Sequence, residues 1–168
     1  GGESLDAKVI VRGTYAFENL SISTGAGNDL VTIEAVNADH TTLDTGDGSD
    51  TLTFDGRTRM EALSGGLTIG ESGGQFSFTG LPDRASFEKV ELVSIHLGSG
   101  NDELTIENSV DDVRVEVLGH AGDDHVSIMP SGATPSFSGD FTGGDGNDTL
   151  TLDINDSDPN PANFVDLT

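Results

Sequence analysis

The 168-residue chain is long enough for one compact domain or one run of repeats, and it carries 30 Asp and Glu against 7 Lys and Arg, a formal net charge of −23. Hydrophobic residues make up 33 %, with one Tyr, no Trp and no Cys. A broad core is hard to fill from that inventory, and disulfide frameworks and thiolate metal sites are excluded. The charge makes nucleic acid, anionic membrane surfaces and polyanionic sugars poor partners and calls for neutralisation by cations.

In chain order, short alternating strands flank a recurring Gly-rich turn that ends in Asp. Leu20-Ser21-Ile22 precedes Gly25-Ala26-Gly27-Asn28-Asp29, and Val31 and Ile33 follow on one face. Leu43-Asp44-Thr45 leads into Gly46-Asp47-Gly48-Ser49-Asp50 and the pair Leu52/Phe54. Residues 57–69 read as a longer loop or bulged strand. Gly70 to Phe78 then fits the template with Gly74 in the place of Asp, which predicts a degenerate coil with Phe76/Phe78 inward and a break in the row of turns. A second loop is expected at 79–89; Arg57, Arg59, Arg84 and Lys89 gather about this insertion. Val93-Ser94-Ile95 introduces Gly98-Ser99-Gly100-Asn101-Asp102 with Leu104/Ile106, and Val113 to Val117 introduces His120-Ala121-Gly122-Asp123-Asp124 with Val126/Ile128. The last turn is Gly144-Asp145-Gly146-Asn147-Asp148 with Leu150/Leu152.

The first turn positions are 25, 46, 70, 98, 120 and 144, so the steps are 21, 24, 28, 22 and 24 residues. Periods of this size mark stacked repeats. The pattern predicts an all-β fold, a β-solenoid of about six coils over residues 1–152, with the post-turn pairs stacked in one continuous apolar column. Residues 153–168 read as a linker or an incomplete further coil. No amphipathic helical pattern is present, no run approaches a transmembrane helix, and the Gly-Gly start has no signal-peptide character. The segment is expected to belong to something longer.

The turn chemistry points to a hard cation. Gly at the first and third positions permits positive φ and lets carbonyls face a common centre, and Asp at the fifth supplies an ionised oxygen. Calcium takes about 6–8 oxygen ligands, more than one turn supplies, so two stacked turns would sandwich an ion. The expected ligand turns are Gly25, Gly27, Asp29; Gly46, Gly48, Asp50; Gly98, Gly100, Asp102; Gly122, Asp124; and Gly144, Gly146, Asp148. Asp29 with Asp50, and Asp102 with Asp124 and then Asp148, are the expected pairs. A single such Asp closes an Asx-turn without any ion; five in register on so acidic a chain favour Ca2+. Magnesium and zinc fit the ligand set less well. Asp47, Asp123 and Asp145 are read as solvated.

These turns resemble the calcium-binding repeats of the RTX or haemolysin type, Gly-Gly-x-Gly-x-Asp-x-apolar-x, which Gly143-Gly144-Asp145-Gly146-Asn147-Asp148-Thr149-Leu150-Thr151 matches position for position. The resemblance covers about 130 residues. It implies a right-handed parallel β-helix that folds with calcium in a large bacterial secreted or surface protein, adhesins included. The family's motif recurs every nine residues and lines both sides of the coil. Here it recurs once per coil, so a single, one-sided row of ions is expected.

Competing readings are weaker. The outward ranks Thr32, Thr53, Ser77, Thr105, Ser127 and Thr151 invite an ice-binding reading, but a second Thr rank is missing. His40, His96, His120 and His125 are spread over several coils and read as surface or turn residues. Asp153 to Pro159 is faintly similar to a cadherin calcium linker. A carbohydrate-active enzyme on the same scaffold, or a non-catalytic module of a secreted hydrolase, is the alternative; no catalytic pair stands out, and basic and aromatic residues to grip a sugar are scarce. The expectation is therefore a non-enzymatic, extracellular or cell-surface calcium module. Its partners would be calcium, neighbouring modules of the same chain, and a surface glycan or protein.

Overall fold

Alternation of apolar and polar residues puts one face of each short segment inward and the other outward, and two such faces must close on each other. A computed structural model describes residues 5–12, 16–34, 37–70, 73–78, 85–107, 113–129 and 137–153. Of the linker or further coil expected at 153–168, all but Asp153 lies outside them, as do residues 79–84 of the expected second loop. Among the described residues there is no helix, and the strands form a β-solenoid of about 5 turns.

The first sheet orders β1 (Lys8–Arg12), β3 (Leu30–Glu34), β5 (Thr51–Asp55), β9 (Leu92–His96), β11 (Arg114–Ala121) and β13 (Ser138–Asp145), every neighbouring pair parallel. The second orders β2 (Ala16–Ser23), β4 (Asn37–Asp44), β8 (Ala85–Glu88), β7 (Gly73–Phe78), β6 (Ser64–Gly70), β10 (Glu103–Glu107), β12 (His125–Met129) and β14 (Thr149–Leu152). It is parallel except about β7, which runs antiparallel to both β6 and β8.

Register stacks like on like. Ile33, Phe54, Ile95 and Val117 are aligned in the first sheet, and Leu67, Ile106 and Ile128 in the second. All seven are buried. The post-turn pairs therefore do not form one column. Val31/Ile33 and Leu52/Phe54 lie in the first sheet, whereas Leu104/Ile106, Val126/Ile128 and Leu150/Leu152 lie in the second.

The cause is the segment expected to be a degenerate coil. Gly70 to Phe78 instead contributes to an antiparallel excursion, β6–β7–β8, which occupies three places in the second sheet where a coil needs one. Gly74, standing where the other turns carry Asp, brings no carboxylate of its own. Gly74 is instead pressed against Phe87, where a Cβ would come within 2.3 Å of the ring. Phe76 reaches across to stack on Phe54 at 3.6 Å between ring centroids, 14° from parallel. Because β5 and β9 remain neighbours, the chain passes from Asp50 to Asp102 through first, second and first sheet again. That is an odd number of half-coils, so the next turn emerges on the opposite edge.

Phe76→Ala is expected to cost about 3–5 kcal/mol through the cavity left under Phe54. Outward-facing Thr68→Ala should stay within about 0.5 kcal/mol. Denaturant unfolding of the two variants measures the difference.

Candidate cation-binding turns

Each turn Asp ends a Gly-rich loop immediately before a strand, so strand register aligns the aspartates of successive coils. At the first edge, where the chain passes from second sheet to first, Asp29 Oδ1 accepts the Ala7 N–H at 2.7 Å, and Asp50 Oδ1 accepts the Asp29 N–H at 2.8 Å. At the second edge, Asp102 Oδ1 accepts the Leu63 N–H at 2.7 Å, Asp124 Oδ1 the Asp102 N–H at 2.9 Å, and Asp148 Oδ1 the Asp124 N–H at 3.1 Å. The expected pairs are thus adjacent rungs. The five turns do not make one file: two lie on one edge and three on the other.

The glycines serve this stacking in two ways. Gly25, Gly27, Gly46, Gly122, Gly144 and Gly146 take positive φ. Gly48, Gly98 and Gly100 do not, and are needed for space. A Cβ on Gly48 would lie 1.7 Å from the Gly27 carbonyl oxygen, and one on Gly100 2.7 Å from the Ala62 nitrogen. Backbone therefore lies directly on backbone, with carbonyls facing the next turn.

Two features of the ladders carry no motif. Glu91 Oε2 accepts the Asp50 N–H at 2.6 Å and so continues the first ladder from a shorter, Gly-free turn in which Lys89 holds φ 58. The only signal in the sequence is an acidic residue just before a strand, as at every other rung. A second ladder runs the opposite way through the fourth turn position. Asn28 Oδ1 accepts the Ser49 N–H, Asn101 Oδ1 the Asp123 N–H, and Asp123 Oδ1 the Asn147 N–H. Asp47, Asp123 and Asp145 are exposed.

The ladders leave oxygens over. Asp29, Asp50 and Asp124 are 2 %, 1 % and 1 % exposed, and Oδ2 of each has no hydrogen-bond partner. A Thr24 hydroxyl turned toward Asp29 would hold that carboxyl below the ordinary range, together with the Ala7 N–H. Its single proton, however, goes to the Thr45 carbonyl at 2.9 Å, which leaves Asp29 Oδ2 without a donor. Asp102 differs, because its Oδ2 accepts the Gly98 N–H at 2.7 Å. Asp124 is pushed up to about 6 by burial, and by the neighbouring Asp102, Asp148 and Asp123, against the pull of the Asp102 N–H.

A buried carboxylate oxygen without a donor is costly unless the group is protonated or faces a cation. The residues present fit a hard cation: carboxylates in stacked pairs with glycine backbone beside them. Among the described residues no three Asp, Glu, His or Cys side chains are grouped to hold a metal, so an ion held here would have to draw most of its ligands from carbonyls and water.

Other groups converge less. A groove of about 350 Å³ opens over β6, β7 and β10, lined by Gly66, Thr68, Gln75, Ser77, Thr105 and Glu107 with Leu67 and Phe76. Among the described residues Glu107 is the one ionisable side chain in that lining, and these residues offer no acid–base pair there. Asp55 is bonded by Arg57 through two guanidinium nitrogens at 2.9 and 2.5 Å and held below the ordinary range. Next to it burial, with Arg57, lowers His96. Compared with protein-family models and with curated proteins, the chain matches none.

The sign of the Asp124 shift sets a pH dependence. A carboxyl raised in the fold contributes stability that is present below about pH 4 and is lost as pH rises through about 6. With a chelator present, Asp124→Asn is expected to flatten the fall in melting temperature between pH 4 and 7 relative to the parent. An unchanged slope would place the pH dependence on other groups.

Proposed function

We propose that the chain is a calcium-binding solenoid module whose folding is coupled to ion binding, serving as a stiff spacer or adhesion segment of an exported protein. The observation that carries the reading is the set of buried Oδ2 atoms without donors on Asp29, Asp50 and Asp124, held in register at stacked Gly-rich turns. The net charge of −23 supports it, since carboxylates packed one coil apart repel until a cation lies between them. The resemblance of these turns to RTX-type repeats points the same way, as does the bacterial surface or secreted setting that the resemblance implies. Extracellular modules of weak calcium affinity work where the ion is abundant, with Kd of about 10⁻⁴–10⁻³ M.

The ions would lie in two separate groups. Asp29, Asp50 and the glycines about them would hold the first; Asp102, Asp124, Asp148 and theirs would hold the second. The excursion β6–β8 separates the two, so each half of the solenoid would be stabilised by its own ions. At a hundredfold excess over Kd, each site adds about 2.7 kcal/mol to the folded state.

Circular dichroism and calorimetry with calcium and then with chelator test the reading. Calcium should raise the melting temperature by many degrees; a melting temperature indifferent to calcium would sink it. Asp50→Asn and Asp124→Asn should each remove part of the calcium-dependent gain, and the double variant the sum, because the sites are on opposite edges and share no partner. A gain lost entirely with either single variant would show one cooperative row instead of two.

A further inference from the structure

His96 and His120 are 24 residues apart in the chain, and the fold places them together on the second edge. His96 ends β9 and faces outward on the first sheet; His120 lies one coil on, near the end of β11. His96 Nδ1 and His120 Nε2 are 3.2 Å apart, with the rings 5.3 Å between centroids and 22° from parallel. Both residues are half-buried.

His120 occupies the first turn position, where Gly25, Gly46 and Gly144 stand in other coils with φ of 101°, 91° and 110°. It holds φ 73 there and is paired in register with Gly144. Glycine adopts this conformation freely, and histidine is among the few L residues found there, at a cost. A side chain kept at such a position is the kind of local exception that marks a functional contact, and the contact this one makes is with His96.

We infer that His96 and His120 form a two-histidine site for a borderline divalent transition ion such as Zn2+, Ni2+ or Cu2+, chemically separate from the oxygen-lined turns. Two imidazole nitrogens at about 2.0–2.1 Å from one zinc ion, at an angle of about 100–110°, stand about 3.1–3.4 Å apart. The observed spacing lies in that range. Without an ion, one ring nitrogen donates to the other; as the ion enters, that proton moves to the second nitrogen of its own ring, leaving both facing nitrogens free to ligate. The carboxylates of Asp55 and Glu116 give the site a negative surround, partly offset by Arg57. Asp55 is committed to Arg57, and Glu116 Oε2 accepts the Ser94 hydroxyl at 3.1 Å, so water completes the coordination. Calcium does not compete, because it selects oxygen over imidazole.

Calorimetric titration of the folded protein with zinc chloride at pH 7.5, in saturating calcium, tests this. One ion per chain is expected. His96→Gln and His120→Gly should each weaken zinc binding at least tenfold, while His40→Asn and His125→Asn leave it unchanged. His120→Gly restores the residue that the other turns carry, so circular dichroism and the calcium response should be those of the parent or better. That separates this site from the calcium reading, which can fail or stand on its own. Absence of saturable zinc binding by the folded parent, or equal affinity in both histidine variants, overturns the inference.

Discussion

The structure depends on one repeated hydrogen bond, from the backbone N–H just before β1, β3, β6, β10 and β12 to the carboxylate of the turn residue one coil further on. It fixes the register of the strand that follows, and register decides which side chains face inward. A slip of one residue would turn Ile33, Phe54 and their neighbours to solvent. The glycines are required because this bond brings backbone onto backbone. Where a turn lacks the full motif, as at Glu88 to Glu91, a longer carboxylate arm from Glu91 makes the same bond across a shorter loop.

The same bond leaves over the buried oxygens on which the proposed cation binding rests. An aspartate has two oxygens, and the ladder uses one. At Asp29, Asp50 and Asp124 the second is buried without a donor. At Asp102 it is satisfied by Gly98, and at Asp148, on the last described turn, the side chain is only half-buried. The unsatisfied charge is therefore concentrated within the stack, where repulsion between rungs is screened least.

The antiparallel excursion divides the solenoid. By adding strands to the second sheet alone, it leaves that sheet with eight against six and moves the turns to the other edge. The Phe54–Phe76 stack keeps the core continuous across this change, so the two halves share one interior while their ladders face different ways.

The sequence alone determined the solenoid class, the turn residues and the pairing of Asp29 with Asp50 and of Asp102 with Asp124 and Asp148, because these rest on short-range periodicity and on spacing near one coil. It also placed the irregularity of the repeat at Gly70 to Phe78, but as a degenerate turn, where the structure has Gly74 inside strand β7. Which edge each turn occupies could not be read there. That depends on how many times the chain crosses between sheets from Asp50 to Asp102, and Gly-rich strands such as Gly65-Gly66-Leu67 pair parallel or antiparallel with equal local ease. Glu91 was hidden because its turn has no glycine, and the meeting of His96 with His120 because neighbours across a coil boundary are set by register. Local patterning writes the coil; only tertiary pairing, through the parity of its sheet crossings, decides where the coil's charges face.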